Sequence, residues 1–253
     1  MDFKVFFIKL FFSIPLSIIK FIDSFRDRKK GIVDLEDRYG IEAFVGLAGE
    51  GKTLSMVKTA YNYRKKYKDN ILIFSNFRCD FADAQFVSYK QFLKPFKKSV
   101  LILYDEMPND FNKNNHKEFP IDLFSKLTQL RKGNGVKILY STQDIMLIDP
   151  DIRRLTRLVH ECRTYKRRLT YFCTYDMQYY KMKHESVSVD RKSKILKDSF
   201  TWFLQTNKLR NAYDSFLFLD NAKTSRRSLA ERNESAFMQR SFAKILRPLY
   251  CDY

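Results

Sequence analysis

The chain has 253 residues, of which 45% are hydrophobic and 16% aromatic, which is ample for a sizeable core and excludes disorder throughout. Lys and Arg total 47 against 29 acidic residues, and the net charge of +18 favours a polyanionic partner, either nucleic acid, anionic lipid or both. The four cysteines form no CxxC pair and no metal-ligand spacing with the three histidines, which argues against a zinc site and fits a reducing cytosol.

The first 30 residues form a segment of their own, almost continuously apolar over 3–25 and followed by the basic stretch RDRKK at 26–30. A signal peptide is disfavoured because no A-x-A cleavage pattern follows. A transmembrane helix over 5–22, a helix lying on the membrane surface, and a helix buried against the protein or a partner all stay open. We predict contact with a cell membrane, with the remainder of the chain on the cytoplasmic side because of the basic flank.

After a connector at 31–40, short apolar runs alternate with helical patterns. Continuous apolar runs separated by helices are typical of strands buried on both faces of a mostly parallel sheet, so the sequence predicts a three-layered α/β fold. The predicted strands are 41–45, 70–77, 99–107 and 136–142, and the predicted helices are 51–67 and 121–132.

Beyond Pro150 the pattern changes. Residues 156–176 read as a two-stranded ribbon with a basic turn at YKRR, and the pattern weakens from about residue 177. We therefore divide the chain into an N-terminal hydrophobic segment (1–30), a central α/β domain (31–176) and a basic C-terminal extension (177–253), whose stretch 221–235 resembles a flexible tail.

The stretch from Gly46 to Thr53 matches G-x-x-x-x-G-K-[ST] and lies between a predicted strand and a predicted helix, as a phosphate-binding loop requires. Glycines allow the backbone N–H groups to surround a phosphate, and the following helix adds its N-terminal partial charge. Lys52 is expected to reach the β- and γ-phosphates of ATP and Thr53 to hold Mg²⁺. The predicted nucleotide-binding residues are Gly46, Gly49, Glu50, Gly51, Lys52, Thr53 and Leu54. The alternative is a glycine turn before an ordinary helix.

A second acidic element is expected in a nucleotide-hydrolysing site, and VLILYDE at 100–106 supplies it. Asp105 would bind Mg²⁺ through water, and Glu106 would act as the general base that activates the attacking water. A carboxylate at the position of Glu106 favours an ATPase that couples hydrolysis to mechanical work over a switch GTPase.

Two further residues are candidates for catalysis. Gln143 follows the predicted strand 136–142, where it could contact the γ-phosphate or the attacking water, although a simple strand-end turn is the alternative. Arg131 is predicted to end the helix 121–132, and in a ring it could reach a neighbouring subunit's nucleotide. An arginine that caps a helix C-terminus is an equally ordinary explanation.

Taken together, these motifs resemble the zonula occludens toxin-like family of P-loop ATPases, the assembly proteins of filamentous phages, and more distantly the FtsK/HerA translocases and viral packaging ATPases. The resemblance covers roughly 41–175 and rests on GLAGEGKT, SNF, LILYDE, LRKGNGVKILYSTQD and IDPDIRRLTRLVHE. It implies an oligomeric ATPase that drives extrusion or packaging of phage DNA at the host inner membrane. The chain differs from the family in carrying its apolar segment before the ATPase domain and a carboxylate, Glu50, in the loop.

The sequence thus predicts a membrane-associated, Mg²⁺-dependent ATPase that drives phage DNA extrusion, virion assembly or genome packaging. Its expected partners are further copies of itself, DNA, the host inner membrane and other phage morphogenesis proteins. DIRRLTR (151–157) and YKRR (165–168) are the predicted DNA contacts. Two alternatives stay open: an ATPase for plasmid mobilisation or conjugative DNA transfer, and a membrane scaffold that binds nucleotide without turnover.

Overall fold

The structure is a computed structural model, and it describes residues 18–19, 21–27, 30–86, 88–93, 96–114, 119–185 and 199–214. Its strands are β1 (Gly40–Val45), β2 (Ile71–Ser75), β3 (Arg78–Cys79), β4 (Ala84–Gln85), β5 (Ser99–Tyr104), β6 (Val136–Thr142), β7 (Thr156–Tyr165), β8 (Leu169–Asp176), β9 (Ser199–Leu204) and β10 (Tyr213–Asp214). Its α-helices are α1 (Leu35–Arg38), α2 (Lys52–Tyr67), α3 (Ile121–Leu127), α4 (Pro150–Leu155), α5 (Met177–Glu185) and α6 (Asn207–Asn211).

Eight strands form one sheet in the order β4-β2-β5-β6-β1-β7-β8-β9. The strands from β4 to β7 are parallel, whereas β8 and β9 are added in antiparallel orientation. β1 lies between β6 and β7 and is buried from Ile41 to Val45. Because parallel strands end at the same edge, the segments that follow β1, β2, β5, β6 and β7 meet at one edge, here called the carboxyl edge.

Helices cover both faces of this sheet, which confirms the three-layered α/β fold. On one face α2 packs through Leu54, Met56, Val57 and Ala60 against alternate residues of the central strands. On the other face α3, α4 and α5 bury apolar side chains in a second core. Each central strand therefore contributes to two cores, which is why its sequence is a continuous apolar run.

The predicted ribbon is confirmed, since β7 and β8 pair in antiparallel register from Leu158↔Asp176 to Tyr165↔Leu169. The predicted helix 121–132 is shorter in the structure and ends at Leu127. The chain turns after it because Gly133 and Gly135 adopt positive φ angles of 65° and 81° and lead directly into β6.

Residues 177–253 were predicted only as a basic extension, but part of them joins the main sheet. β9 pairs with β8 from Leu169↔Leu204 to Thr174↔Ser199 and buries Phe203 in the core beside α2. The following residues, 205–214, contain α6 and β10, and we call them the strap. The strap ends by pairing β10 with β3, which follows β2.

The predicted membrane segment lies largely outside the described residues, since 1–17 are not among them. Residues 21–27 are helical and expose Phe21, Ile22 and Phe25. Within the described part of the chain, we find no helix with the length and apolar character needed to cross a membrane.

Candidate nucleotide-binding site

The phosphate-binding motif lies between the carboxyl end of β1 and the first residue of α2, as predicted. Gly51 adopts a left-handed conformation (φ 79°) immediately before Lys52 starts the helix. The first N–H groups of an α-helix have no partner within the helix, so those of α2 point toward the space above the carboxyl edge. The loop therefore places both backbone donors and a helix N-terminus where an anion can be bound.

Two of the glycines are required by close contacts as well as by the backbone. A Cβ on Gly46 would lie 2.9 Å from the carbonyl oxygen of Cys162 on β7. A Cβ on Gly51 would lie 2.7 Å from the Thr164 hydroxyl oxygen. The loop thus fits tightly against β7, and a larger residue at either position has to displace it.

The charged side chains of the loop bind the loop itself in this structure. Lys52, which is buried, donates from Nζ to the carbonyl oxygen of Leu47 at 3.2 Å. The Glu50 carboxylate accepts a hydrogen bond from the Leu47 N–H at 2.7 Å. Glu50 therefore caps the turn at the start of the loop, which accounts for a carboxylate in a segment expected to face phosphates.

Asp105 follows β5, and its carboxylate faces Thr53, the other residue that the sequence analysis assigned to a metal site. Its Oδ1 accepts hydrogen bonds from the hydroxyls of Thr53 at 2.8 Å and Ser141 at 2.5 Å. Burial raises the pKa of Asp105, against the opposing effect of these hydroxyls and of the Lys52 charge. The strands β1, β5 and β6 thus jointly position one carboxylate oxygen beside the hydroxyl of the phosphate loop.

Glu106 is held by its backbone in an unusual conformation. Its φ of 48° lies in the left-handed region, which a non-glycine residue rarely adopts and which costs about 1–3 kcal/mol. Its N–H donates to Ser141 Oγ at 2.8 Å, so β6 fixes the turn. Burial and the neighbouring Asp105 raise the pKa of Glu106, while Lys52 lowers it. This is the environment of a carboxylate prepared to accept a proton.

These groups line one cleft of about 550 Å³ at the carboxyl edge. Of the site residues predicted from the sequence, those that line the cleft are Gly49, Gly51, Lys52, Thr53, Leu54, Asp105 and Glu106. A Thr hydroxyl 2.8 Å from a buried carboxylate oxygen is a donor set that suits Mg²⁺, which uses one or two protein groups together with phosphates and water. The residues present therefore fit a magnesium–nucleotide complex.

Sequence reasoning missed a second wall of the cleft. It consists of residues after β2 and β5 and of residues from the strap, namely Phe77, Asn109, Gln205, Arg210 and Tyr213. The rings of Phe77 and Tyr213 pack edge to face at 6.2 Å between centroids. Phe77 ends the SNF stretch at 75–77, to which the sequence analysis assigned no role, and no motif marks Asn109 or the strap residues.

Two predicted catalytic residues lie outside the cleft walls. Gln143 is exposed on the segment after β6, at the carboxyl edge but not among the described residues that line the cleft. Arg131 is exposed on the turn before β6, so it lies at the opposite, amino edge of the sheet. Within one subunit, Arg131 is therefore remote from the phosphate loop.

Comparison with known proteins gives structural matches only. No protein-family profile and no curated protein sequence matches the chain. Among solved structures, it is similar to the N-terminal domain of zonular occludens toxin from Neisseria meningitidis, with 16% identity over 70% of this chain and 100% of that one and a TM-score of 0.45. It is also similar to the genome packaging NTPase B204 from Sulfolobus turreted icosahedral virus 2 in complex with ATP-gammaS, with 12% identity over 55% and 93% of the two chains and a TM-score of 0.40.

Proposed function

We propose that this protein is a Mg²⁺-dependent ATPase that moves phage DNA during virion assembly or genome packaging. The observation that carries the ATPase proposal is the convergence of Lys52, the Thr53–Asp105 pair and Glu106 on one cleft at the end of a parallel sheet. A turn before an ordinary helix would need neither a buried acidic partner for Thr53 nor a second carboxylate beside it.

The residues of the cleft divide the chemistry between them. Lys52 would exchange the Leu47 carbonyl for phosphate oxygens, and the Thr53 hydroxyl and the Asp105 carboxylate are the groups that would hold a magnesium ion. A bound magnesium ion neutralises charge on the β- and γ-phosphates. Glu106 accepts a proton from the water that attacks the γ-phosphorus, and its raised pKa makes it a better base than an exposed glutamate.

Measuring ATP hydrolysis distinguishes an ATPase from a scaffold that binds nucleotide without hydrolysing it. The first experiment is steady-state ATP hydrolysis by the full chain, compared with Lys52→Ala and Glu106→Gln and with the exposed control Asp69→Asn. We expect Glu106→Gln to bind ATP normally and to lose about 10²–10⁴-fold in rate, as for other general bases. Equal rates for Glu106→Gln and the unsubstituted chain would contradict a role for Glu106 as base, and tight binding without turnover would support the scaffold.

DNA as the cargo is supported by charge and by exposed aromatic residues. The turn from Lys166 to Arg168 lies at the carboxyl edge beside the cleft, whereas Arg154 and Arg157 lie near the amino edge. On the sheet face opposite α2, β9 exposes Phe200, Trp202 and Leu204, and its Leu204 end lies beside the basic turn because Leu204 pairs with Leu169. Basic groups beside exposed rings are typical of surfaces that bind single-stranded nucleic acid.

Trp202 is the only tryptophan of the chain and therefore reports directly on this face. We expect single-stranded DNA to quench its fluorescence and the affinity to fall as salt rises. Duplex DNA serves as the comparison, and ATP hydrolysis is measured with each. Quenching and hydrolysis that are both insensitive to DNA would contradict a DNA motor.

Membrane association belongs to the same proposal and rests on the apolar composition of 1–25 and the basic stretch 26–30. Flotation of the full chain with vesicles tests membrane binding, using anionic and neutral lipid in parallel. The unsubstituted chain is compared with a variant whose basic residues at 26 and 28–30 are replaced by glutamine. We expect binding that is stronger to anionic vesicles and weakened in the variant. Plasmid mobilisation or conjugative transfer would use the same chemistry and differs only in the DNA carried.

A further inference from the structure

The strap forms part of the cleft wall and is fastened at both ends. At its start, the Gln205 N–H donates to the carbonyl oxygen of Arg168 at 2.8 Å, at the turn between β7 and β8. In its middle, Leu209 is buried in the core beside α2. At its end, Ala212 accepts a hydrogen bond from the Asp80 N–H at 2.9 Å, next to the β10–β3 pair. The strap thus spans from one side of the phosphate loop to the other.

Gln205 connects the strap to the layer beneath the phosphate loop. Its Nε2 donates to Thr170 Oγ1 at 2.7 Å, and Thr170 shares a hydrogen bond of 2.9 Å with Thr164. Thr164 is the residue whose hydroxyl lies against Gly51. A chain of polar contacts therefore links the strap to the glycine at which the phosphate loop enters α2.

Arg210 is held on the cleft wall by the amide oxygen of the Gln205 side chain. Its Nε and Nη2 donate to Gln205 Oε1 at 2.9 and 2.6 Å, and Nη2 also donates to the Arg167 carbonyl oxygen at 2.6 Å. Both acceptors are uncharged oxygens, so these contacts orient the guanidinium without neutralising its charge. The side chain lines the cleft together with Lys52 and Asp105.

We propose that Arg210 binds the β- or γ-phosphate of the bound nucleotide, beside Lys52, as an arginine that the same subunit supplies from its strap. This inference rests on the proposed nucleotide site and adds a residue to it. A guanidinium presents several N–H donors in a plane and suits phosphate oxygens, and Gln205 already fixes its orientation. Phosphate binding at Arg210 then stabilises the strap in place, because Gln205 binds both Arg210 and Thr170.

The test compares the affinities of the full chain for ATP, ADP and AMP, measured by calorimetry for the unsubstituted chain and for Arg210→Gln. The matched control is Lys208→Gln, because Lys208 is an exposed cation on the same helix α6 that does not line the cleft in the described structure. We expect Arg210→Gln to weaken ATP binding about tenfold, as loss of a charge-assisted hydrogen bond implies, and to weaken AMP binding much less. Lys208→Gln should bind all three as the unsubstituted chain does.

The outcomes separate the two proposals. If the unsubstituted chain binds none of the three nucleotides, the proposed function fails. The inference is overturned if the unsubstituted chain binds ATP but Arg210→Gln weakens the affinities for ATP and AMP by the same factor. It is also overturned if Arg210→Gln weakens neither affinity, since Arg210 would then only hold the strap. Arg210→Lys keeps the charge and provides a second variant should the glutamine variant fold poorly, and it should retain most of the preference for ATP over AMP.

Hydrogen exchange gives a readout that does not depend on turnover. We expect ATP to slow amide exchange in 205–214 of the unsubstituted chain, and expect this protection to be reduced in Arg210→Gln but kept in Lys208→Gln. Protection of the phosphate loop alone, with unchanged exchange in the strap, would contradict the inference.

Discussion

Asn76 holds the main chain of the acidic pair from both sides. Its Oδ1 accepts the Asp105 N–H at 2.7 Å, and its Nδ2 donates to the Asp105 carbonyl oxygen at 2.9 Å. Asn76 is buried directly after β2, and Asp105 directly follows β5, the neighbouring strand. A side-chain amide can make both bonds at once because it carries a donor and an acceptor. The position of Asp105 therefore depends on a residue outside the phosphate-binding motif and the acidic pair.

The first prediction concerns this amide. Asn76→Ala leaves a buried N–H and C=O of Asp105 without these partners, and we expect the free energy of unfolding to fall by about 1–3 kcal/mol. We also expect ATP hydrolysis to fall more than ATP binding, since the acidic pair is displaced while the phosphate loop is not. Chemical denaturation and steady-state hydrolysis measure the two effects. The control is Asn62→Ala on the exposed face of α2, which should change neither.

A second group of buried polar residues joins β1 to the strands on either side of it and has a structural role. The Glu42 carboxylate lies 2.7 Å from Lys137 Nζ on β6 and 3.1 Å from His160 Nε2 on β7. Burial by itself raises the pKa of Glu42, but the hydrogen bond to His160 and the charge of Lys137 lower it to about 2. The three central strands are thus joined by a buried ion pair and a hydrogen bond as well as by their ladders.

The second prediction follows from the lowered pKa. A carboxylate with a folded-state pKa near 2, against an ordinary value of 4.5, stabilises the fold fully above pH 4.5. This contribution, on the order of 3 kcal/mol, is lost as the pH falls toward 2. We expect Glu42→Gln to be less stable at neutral pH and to show a shallower loss of stability between pH 4.5 and 2. Denaturation measured between pH 4.5 and 2 should show the same loss of stability with falling pH in the control Glu36→Gln as in the unsubstituted chain. An equally steep loss in Glu42→Gln would refute the lowered pKa of Glu42.

Among the elements, the central strands were predictable because each is buried on both faces. The runs 41–45 and 136–142 correspond to β1 and β6 within one residue at either end, and the ribbon over 156–176 matches β7 and β8. The phosphate loop and the acidic pair were predictable for a related reason, since both follow such runs at the edge where parallel strands end. Local sequence decides these features.

The strap and β9 were not predictable by the same means. β9 is a short strand whose exposed face carries Phe200 and Trp202, so the alternation of apolar and polar residues that marks a half-buried strand is missing. Gln205 and Arg210 form no motif, and they reach the cleft only because β9 pairs with β8. Their role depends on a long-range contact that sequence spacing does not encode.

The third prediction concerns the fit of the phosphate loop against β7. Gly46→Ala introduces a Cβ that would lie 2.8 Å from the Glu50 carboxylate and 2.9 Å from the Cys162 carbonyl oxygen. The side chain of Glu50 can move away, but the strand cannot, so we expect a loss of about 1–3 kcal/mol in stability and weaker ATP binding. Thermal unfolding with and without ATP measures both quantities.

Gly133→Ala is the control for this substitution. Gly133 has open space around its Cα but a φ of 65°, and it lies at the amino edge. We expect a stability loss of about 1–2 kcal/mol from the left-handed backbone alone, with ATP affinity unchanged. Unaltered ATP binding by Gly46→Ala would show that the loop tolerates the displacement.

At the scale of the whole molecule, the two edges of the sheet carry different groups. The carboxyl edge carries the cleft and the basic turn between β7 and β8, while the amino edge carries Arg131. Contact between Gly135 and Arg38, which precedes β1, confirms that the turn holding Arg131 lies at the amino edge. Arg131 can therefore approach a nucleotide only if the amino edge of one subunit meets the carboxyl edge of another, which is a head-to-tail contact of the kind that forms a ring when the rotation between subunits closes.

The fourth prediction uses this separation. Lys52→Ala removes the phosphate contact but keeps Arg131, whereas Arg131→Ala removes the arginine but keeps the cleft, so each variant alone should hydrolyse ATP poorly. In an equal mixture, about one quarter of the contacts in a randomly assembled ring join an intact cleft to an intact arginine, and activity should return in proportion. Lys132→Ala, which changes the neighbouring exposed cation, is the control and should be active alone.

If Arg131→Ala alone is fully active, the arginine is not needed for hydrolysis. If both variants are inactive and mixing restores nothing although the subunits exchange, a role for Arg131 in a neighbouring subunit's cleft is refuted.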